Sequence, residues 1–258
     1  MDSLIFAFRY FTNLPLPADL KWNEKTAAAA LAWLPFTGLS IGLCLSALAL
    51  FMQNTGFPQS PLLKSMLVMA LELWLGGSLF ISGFSRACDG LFSGLGPGRS
   101  LEIMEDSHIG VKGALSLALS LLAKAALLSE LSLYGDFLFI LLFYPCLARW
   151  AASFTACHYP VAKEEGMAFF FKIEQKPVYI LLGSVFLLLT LIVMPRYFYL
   201  AVLLSFLLLL FCCSLVQSRI GGQTDDSYGL ASVVAELSFL LFCAVCGVLF
   251  RNMGGSSS

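Results

Sequence analysis

The sequence predicts an all-α, polytopic integral membrane protein with about seven transmembrane helices and an N-terminal amphipathic helix lying at the interface. Three observations carry this reading. The 258 residues are 59% hydrophobic and only 12% charged, roughly half the charge of an ordinary soluble domain. The mean hydropathy is +0.86. The apolar residues also gather into runs of about 17–25, the length that crosses ~30 Å of hydrocarbon, with short polar stretches between them.

At the start, MDSLIFAFRYFTNLPLP lacks the basic n-region and small-residue cleavage site of a signal peptide. Leu4, Ile5, Phe8 and Phe11 recur near helical spacing, which predicts a helix lying in the interface rather than a span. Spans are predicted at 27–52, 62–81, 113–133, 137–157, 178–194, 198–216 and 229–250. Pro-Gly punctuation in TGFPQSP and LGPGR marks gaps between them. Residues 1–253 read as one helical domain, and the closing GGSSS, 254–258, as a linker scar. Most of the eight cysteines sit inside apolar runs and read as small buried hydrophobes.

Seven spans place the termini on opposite sides. The N-terminal side also holds 82–112, 158–177 and 217–228, with Arg9, Lys21, Lys25, Arg86, Arg99, Lys112, Lys163, Lys172, Lys176 and Arg219. The other side has Lys64, Arg196 and Arg251. The positive-inside rule makes the first side cytoplasmic and puts the C-terminus outside. Nearly all loop carboxylates share that first side, which suggests an enzyme meeting its substrate there. A transporter would place its polar sites near the midplane. The net charge of −1 does not favour nucleic acid as a partner.

Three cytoplasmic segments are candidates for chemistry. The first, CDGLFSGLGPGRSLEIMEDSHIGVKG, spans 88–113 and holds Asp89, Glu102, Glu105 and Asp106 among many glycines. A short helix is predicted over 99–107, with Glu102 and Asp106 sharing a face at i, i+4 and Asp89 approaching Asp106 if the loop folds back. Two carboxylates plus substrate phosphates make a normal magnesium set. The competing reading is a solvated surface helix. The second segment, GGQTDDSYG, offers glycine backbone N–H groups to phosphate oxygens and Asp225 and Asp226 to a cation. Capping of the next helix is the alternative. The third, HYPVAKEEG, alone reads as an interfacial loop. Arg149, inside the fourth span, needs a partner; it reaches a carboxylate or phosphate, or else pairs structurally with Glu236. Lys124, within the third span, is expected to have a partner or water, with Glu130 too far along to be an ideal one.

These residues, in this order, resemble the cobalamin 5′-phosphate synthase family (adenosylcobinamide-GDP ribazoletransferase). The resemblance runs nearly the full length. It covers Phe11-Thr12 with LPLP, LPFTGLSIG, CDGLFSG, LEIMEDSHIG, Arg149, AKEEG, and GGQTDDSYG with Glu236. It implies a multi-pass inner (plasma) membrane enzyme that joins GDP-activated adenosylcobinamide to α-ribazole or its 5′-phosphate and releases GMP. It also implies magnesium as cofactor, the bilayer as surroundings, and other cobamide-assembly enzymes or a second copy of the chain as candidate partners. The expected site has Asp89 and Asp106 as catalytic carboxylates, and these two with Asp225 and Asp226 as metal ligands. Arg86, Ser107, Arg149, Lys163, Glu165, Gly222, Gln223 and Thr224 are expected to bind substrate.

The chain departs from the family pattern at several points. Ser82 and Arg86 stand where the family has aspartates, Asp225 where it usually has glycine, and Val233 where it has glutamate. Asn13 and Lys163 stand at arginine positions. These departures motivate an alternative, a non-catalytic corrinoid-binding or assembly subunit or one with a changed substrate. A CDP-alcohol phosphotransferase is disfavoured because DGLFSG lacks the Ala-Arg that such a motif needs.

Overall fold

The computed structural model describes residues 2–14, 23–196 and 198–254, with the backbone alone beyond Gly247. Residues 15–17 of LPLP, Lys21, the 255–258 part of the closing GGSSS, and the Arg251 side chain lie outside what is described. Among the described residues every regular element is helical: α1 (Asp2–Phe11), α2 (Glu24–Ala30), α3 (Leu34–Thr55), α4 (Pro61–Gly76), α5 (Leu79–Leu91), α6 (Pro97–Glu105), α7 (Val111–Leu131), α8 (Phe137–His158), α9 (Gly166–Ile173), α10 (Pro177–Val193), α11 (Phe198–Ile220) and α12 (Asp225–Gly254). Five helices are long and apolar enough to cross a membrane. The count reaches seven when the bent pairs α4–α5 and α9–α10 are each taken as one span. The protein is therefore a multi-pass helical membrane protein, with α1 as the expected N-terminal amphipathic helix.

Three predicted boundaries are corrected. The 27–52 span is two helices, because the chain makes a tight turn at 31–33, where Leu31, Ala32 and Trp33 donate back to Ala28, Ala29 and Ala30. Pro35, which has no N–H to lose, then sits in the first turn of α3. The 62–81 span breaks at Gly77, whose φ of 69° with ψ of 176° is open to glycine alone, and α5 leaves α4 at 94°. Helix α5 then runs through the CDGL residues, where the sequence predicts a loop. The 178–194 span is preceded by α9, bent from α10 by 102°. Apolar residues flank the breaks at 31–33 and 77 closely, so mean hydropathy does not expose them, whereas the polar KIEQKP at 172–177 separates α9 from α10.

A helix broken inside a bilayer leaves carbonyls that water cannot satisfy. Here the end of α4 is covered by protein donors. The Asn13 side chain donates to Trp74 O at 2.9 Å and its backbone N–H to Leu75 O at 3.0 Å. Arg149 Nη2 donates to Gly76 O at 3.0 Å, and its guanidinium lies 3.8 Å from the Phe80 ring centroid. The alternative Arg149–Glu236 pair does not form among the described residues. Arg149 instead ties α8 to the α4–α5 elbow, because that elbow presents unpaired carbonyls at the depth it reaches.

Glu236 is taken by Lys124, which also pairs with Glu72 at 2.5 Å. Tyr144 Oη donates to the same Glu72 at 2.6 Å. This ion cluster joins α4, α7, α8 and α12 through the core, so Lys124 has its partners, and Glu130 is not one of them.

Close helix crossings rest on glycine. A Cβ on Gly38 would lie 2.7 Å from Pro145 C and 2.8 Å from Cys146 Cα, and one on Gly42 2.9 Å from Leu141 O. Gly38 and Gly42 thus form a small-xxx-small face that lets α3 lie directly on the α8 backbone. Backbone atoms cannot give way, so Gly38→Ala is expected to destabilise the bundle by about 1–3 kcal/mol. A lowered melting temperature in detergent would show it, and an unchanged one would refute it.

Candidate active site

Helices α5 and α12 are the frame of the site. A Cβ on Gly83 would lie 3.2 Å from Asp226 Cα, and one on Gly229 2.5 Å from Phe80 O. This contact brings Arg86, on α5, against Asp226 in the first turn of α12. Arg86 Nε donates to Asp226 Oδ1 and Oδ2 at 3.0 and 3.1 Å, and Nη2 to Oδ1 at 2.6 Å. A fork held on a carboxylate in this way is a strong, oriented pair.

The GGQT loop and the AKEEG loop are joined by backbone. Gln223 N–H donates to Pro160 O at 2.7 Å, and Ala162 N–H donates to Gln223 O at 2.9 Å. Gly222 permits this, since a Cβ there would sit 2.5 Å from Ala162 N. Gln223 Nε2 donates to Cys213 O at 3.0 Å, anchoring the loop to α11. Thr224 starts α12, with its hydroxyl accepting from Ser227 N at 3.2 Å. Asp225 Oδ2 accepts from Met167 N at 3.2 Å at the beginning of α9. Lys163 is ion-paired with Glu105 at the end of α6.

These contacts enclose a cavity of ≈ 350 Å³, lined by Arg86, Leu101, Met104, Glu105, Lys163, Glu165, Gly166, Ala168, Gln223, Thr224, Asp225 and Asp226. Of the expected residues it unites Arg86, Lys163, Glu165, Gln223, Thr224, Asp225 and Asp226, drawn from three distant segments. Gly222 supports it without lining it. Gln223 Oε1 is buried and has no hydrogen-bond partner among the described residues, so it is available to accept from a ligand. Glu105, one of the four acids of the 88–113 segment, joins this cavity without having a role assigned from sequence, and the apolar pair Leu101 and Met104 is new to the site. Their nearest sequence signal was the predicted helix of α6.

The remaining expected residues lie elsewhere. Asp89 and Asp106 line a second, more open cavity of ≈ 540 Å³ with Arg99, Glu102, His108 and Lys112. Asp89 is buried, and its two oxygens accept from Gly110 N at 2.8 Å and Gly113 N at 2.7 Å. It caps the start of α7, because helix N-terminal N–H groups need an acceptor. Asp106 is the C-cap of α6 with ψ of 128°, so it does not share a helical face with Glu102. Its Oδ1 accepts from His108 N at 2.9 Å and lies 2.7 Å from His108 Nδ1. The backbone N–H of His108, and then its ring, hold the Asp106 carboxyl below the usual carboxylate range. Ser107 is exposed in the same turn. Arg149 borders a small cavity within the bundle, beside Glu72, Lys124 and Glu236.

The four acids expected to hold a metal are thus divided between two cavities. Among the described residues no group of three or more His, Cys, Asp or Glu side chains is arranged to hold a metal ion. Asp226 is occupied by Arg86 and Asp89 by backbone. Asp225, which accepts the backbone N–H of Met167, and Glu165 are the carboxylates of the first cavity without an ion-pair partner among the described residues.

A family model described as cobalamin-5-phosphate synthase matches residues 3–244. An adenosylcobinamide-GDP ribazoletransferase of Desulfitobacterium hafniense (strain Y51) is 34% identical over 250 residues, covering 93% of this chain and 96% of the relative. Its namesake in Clostridium novyi (strain NT) is 29% identical over 243 residues, with 93% and 96% covered. That of Escherichia coli (strain K12) is 31% identical over 249 residues, with 93% and 99% covered. No solved structure matches.

Proposed function

The chain belongs to the cobalamin-5-phosphate synthase family of membrane transferases, and from that premise we propose that it joins GDP-activated adenosylcobinamide to α-ribazole or its 5′-phosphate. The observation that supports this most is the 350 Å³ cavity, where Arg86, Lys163, Gln223, Thr224 and Asp225 converge from far-apart segments.

In the proposed reaction the lower-ligand hydroxyl oxygen attacks the corrinoid-side phosphorus of the diphosphate. A new P–O bond forms as the bridging P–O bond breaks. The electron pair stays with the departing GMP phosphate, and the hydroxyl proton passes to solvent water. Such transfers depend mainly on positioning and on electrostatic stabilisation of the phosphoryl oxygens. Lys163 and the free edge of Arg86 supply fixed positive charge for these oxygens. The start of α12 supplies backbone N–H groups, and Gln223 Oε1 accepts from a donor on the substrate.

Magnesium belongs to the same proposal. Asp225, with Glu165 on the same cavity, would hold it together with substrate phosphates and water, since that ion often takes only one or two carboxylates. When bound, it would screen the diphosphate and stabilise the leaving phosphate. We place the site loops on the cytoplasmic face of the inner membrane, following the distribution of Lys and Arg.

Purified protein in liposomes, given GDP-cobinamide, α-ribazole phosphate and magnesium, is expected to release GMP. Lys163→Met should reduce the rate by about ten- to a hundredfold, the value of a charge-assisted phosphate contact. Absence of GMP above the background without α-ribazole phosphate would overturn the reading. If corrinoid binding persisted in that case, it would assign the chain to the non-catalytic alternative, which the Arg86–Asp226 pair motivates.

A further inference from the structure

The pairing of Arg86 with Asp226 bears on how this cavity carries charge. Six ionisable side chains face it: Arg86 and Lys163 against Glu105, Glu165, Asp225 and Asp226. Lys163 is held by Glu105. Asp226 lies behind Arg86, with side-chain exposure of 10% against 28% for the arginine. Both carboxylate oxygens of Asp226 are engaged by the guanidinium. The pair cannot simply swing apart, because α5 and α12 touch backbone to backbone at Gly83 and Gly229. Arg86 Nη1 makes no hydrogen bond among the described residues, which leaves one edge of the fork for a ligand.

A divalent ion approaching Asp226 would therefore meet a permanent positive charge already seated on both oxygens. Guanidinium stays protonated throughout the working pH range, so this charge is always present. We propose that Arg86 is the resident cation of the cavity, occupying the place of a divalent ion at Asp226 and presenting its free edge to a phosphate oxygen of the ligand. The consequence is that the ligand-free protein holds no divalent ion at Asp226, and that metal enters only with a diphosphate. The assignment of a diphosphate ligand rests on the function proposed above. The charge argument at Asp226 does not.

The test is metal binding rather than turnover. Protein in nanodiscs is titrated with Mn2+ alone, with the free aqueous ion followed by electron paramagnetic resonance. The wild type is expected to take up little Mn2+ until GDP is added as a diphosphate probe. Arg86→Gln frees Asp226 beside Asp225 and is expected to bind Mn2+ at least about tenfold more tightly than the wild type without nucleotide. Arg86→Gln combined with Asp226→Asn should lose that gain. Arg86→Lys keeps the charge and should behave as the wild type toward Mn2+. GDP binding in chelator should weaken in Arg86→Gln.

Stoichiometric Mn2+ binding by the ligand-free wild type, lost in Asp226→Asn, would overturn the proposal even if Arg86→Gln fails to fold. If GMP release is never seen but the Mn2+ results hold, the proposed function fails while this inference stands.

Discussion

Lys124→Met is expected to destabilise the protein by about 3–5 kcal/mol, the usual consequence of removing one partner from a buried ion cluster. Lys124 is the ammonium between two carboxylates, Glu72 on α4 and Glu236 on α12. It also lies 5.1 Å from the centroid of the Tyr144 ring. Without it, Glu72 retains only the Tyr144 hydroxyl, and Glu236 is left buried in the bundle with no ion-pair partner among the described residues. Both carboxylates would then have to take up protons or draw water into the bundle. Thermal unfolding in detergent, read by size exclusion, should show a large fall in midpoint. Combining Lys124→Met with Glu72→Gln and Glu236→Gln removes the unpaired charges and should recover most of the loss. If the single change is silent, or the triple variant is as unstable as the single one, the cluster does not hold these helices together.

Gly222→Ala should leave the bundle folded and disable the candidate site. The added methyl would meet the backbone at Val161 and Ala162, where the AKEEG loop pairs with the GGQT loop. Neither side can yield, so the two loops must separate and carry Lys163 and Gln223 away from Arg86. A displacement of about 1 Å at a site that works by positioning costs on the order of a hundredfold in rate. GMP release should fall by about that factor while the melting temperature moves little. Tryptic cleavage after Lys163 should become faster as its loop is released. Gly96→Ala, where a Cβ meets nothing within 4 Å, is the control. Normal cleavage and normal turnover in Gly222→Ala would show that the loop docking is not needed.

The chemistry-bearing segments were legible because they interrupt apolar runs. LEIMEDS, AKEEG and GGQTDD stand out as polar and glycine-rich against their surroundings, and the structure brings parts of all three to one cavity. Their internal division was not legible. Asp89 and Asp106 look like equals of Asp225 and Asp226 in sequence, yet Asp89 closes the start of α7 and Asp106 ends α6. Spacing along a chain does not say which backbone N–H groups will lie within 3 Å of a carboxylate. The break at Gly77 was hidden for a related reason. Gly76-Gly77-Ser78 is too short to lower the mean hydropathy of the run around it, and the positive φ of Gly77 is accommodated because Asn13 and Arg149 take the freed carbonyls.

Hydropathy and charge along the chain settle that this is a helical membrane protein, how many apolar runs it has, and which loops gather the polar groups. These are properties of residues near one another in sequence, where solvent transfer dominates. Packing alone decides that Arg86 meets Asp226 across 140 residues, that Lys124 binds Glu72 and Glu236, and that Arg149 serves the α4–α5 elbow. Those pairings depend on how closely two helices approach. That distance is set by the glycines at each crossing and by the need to satisfy every buried charge and carbonyl inside the bilayer.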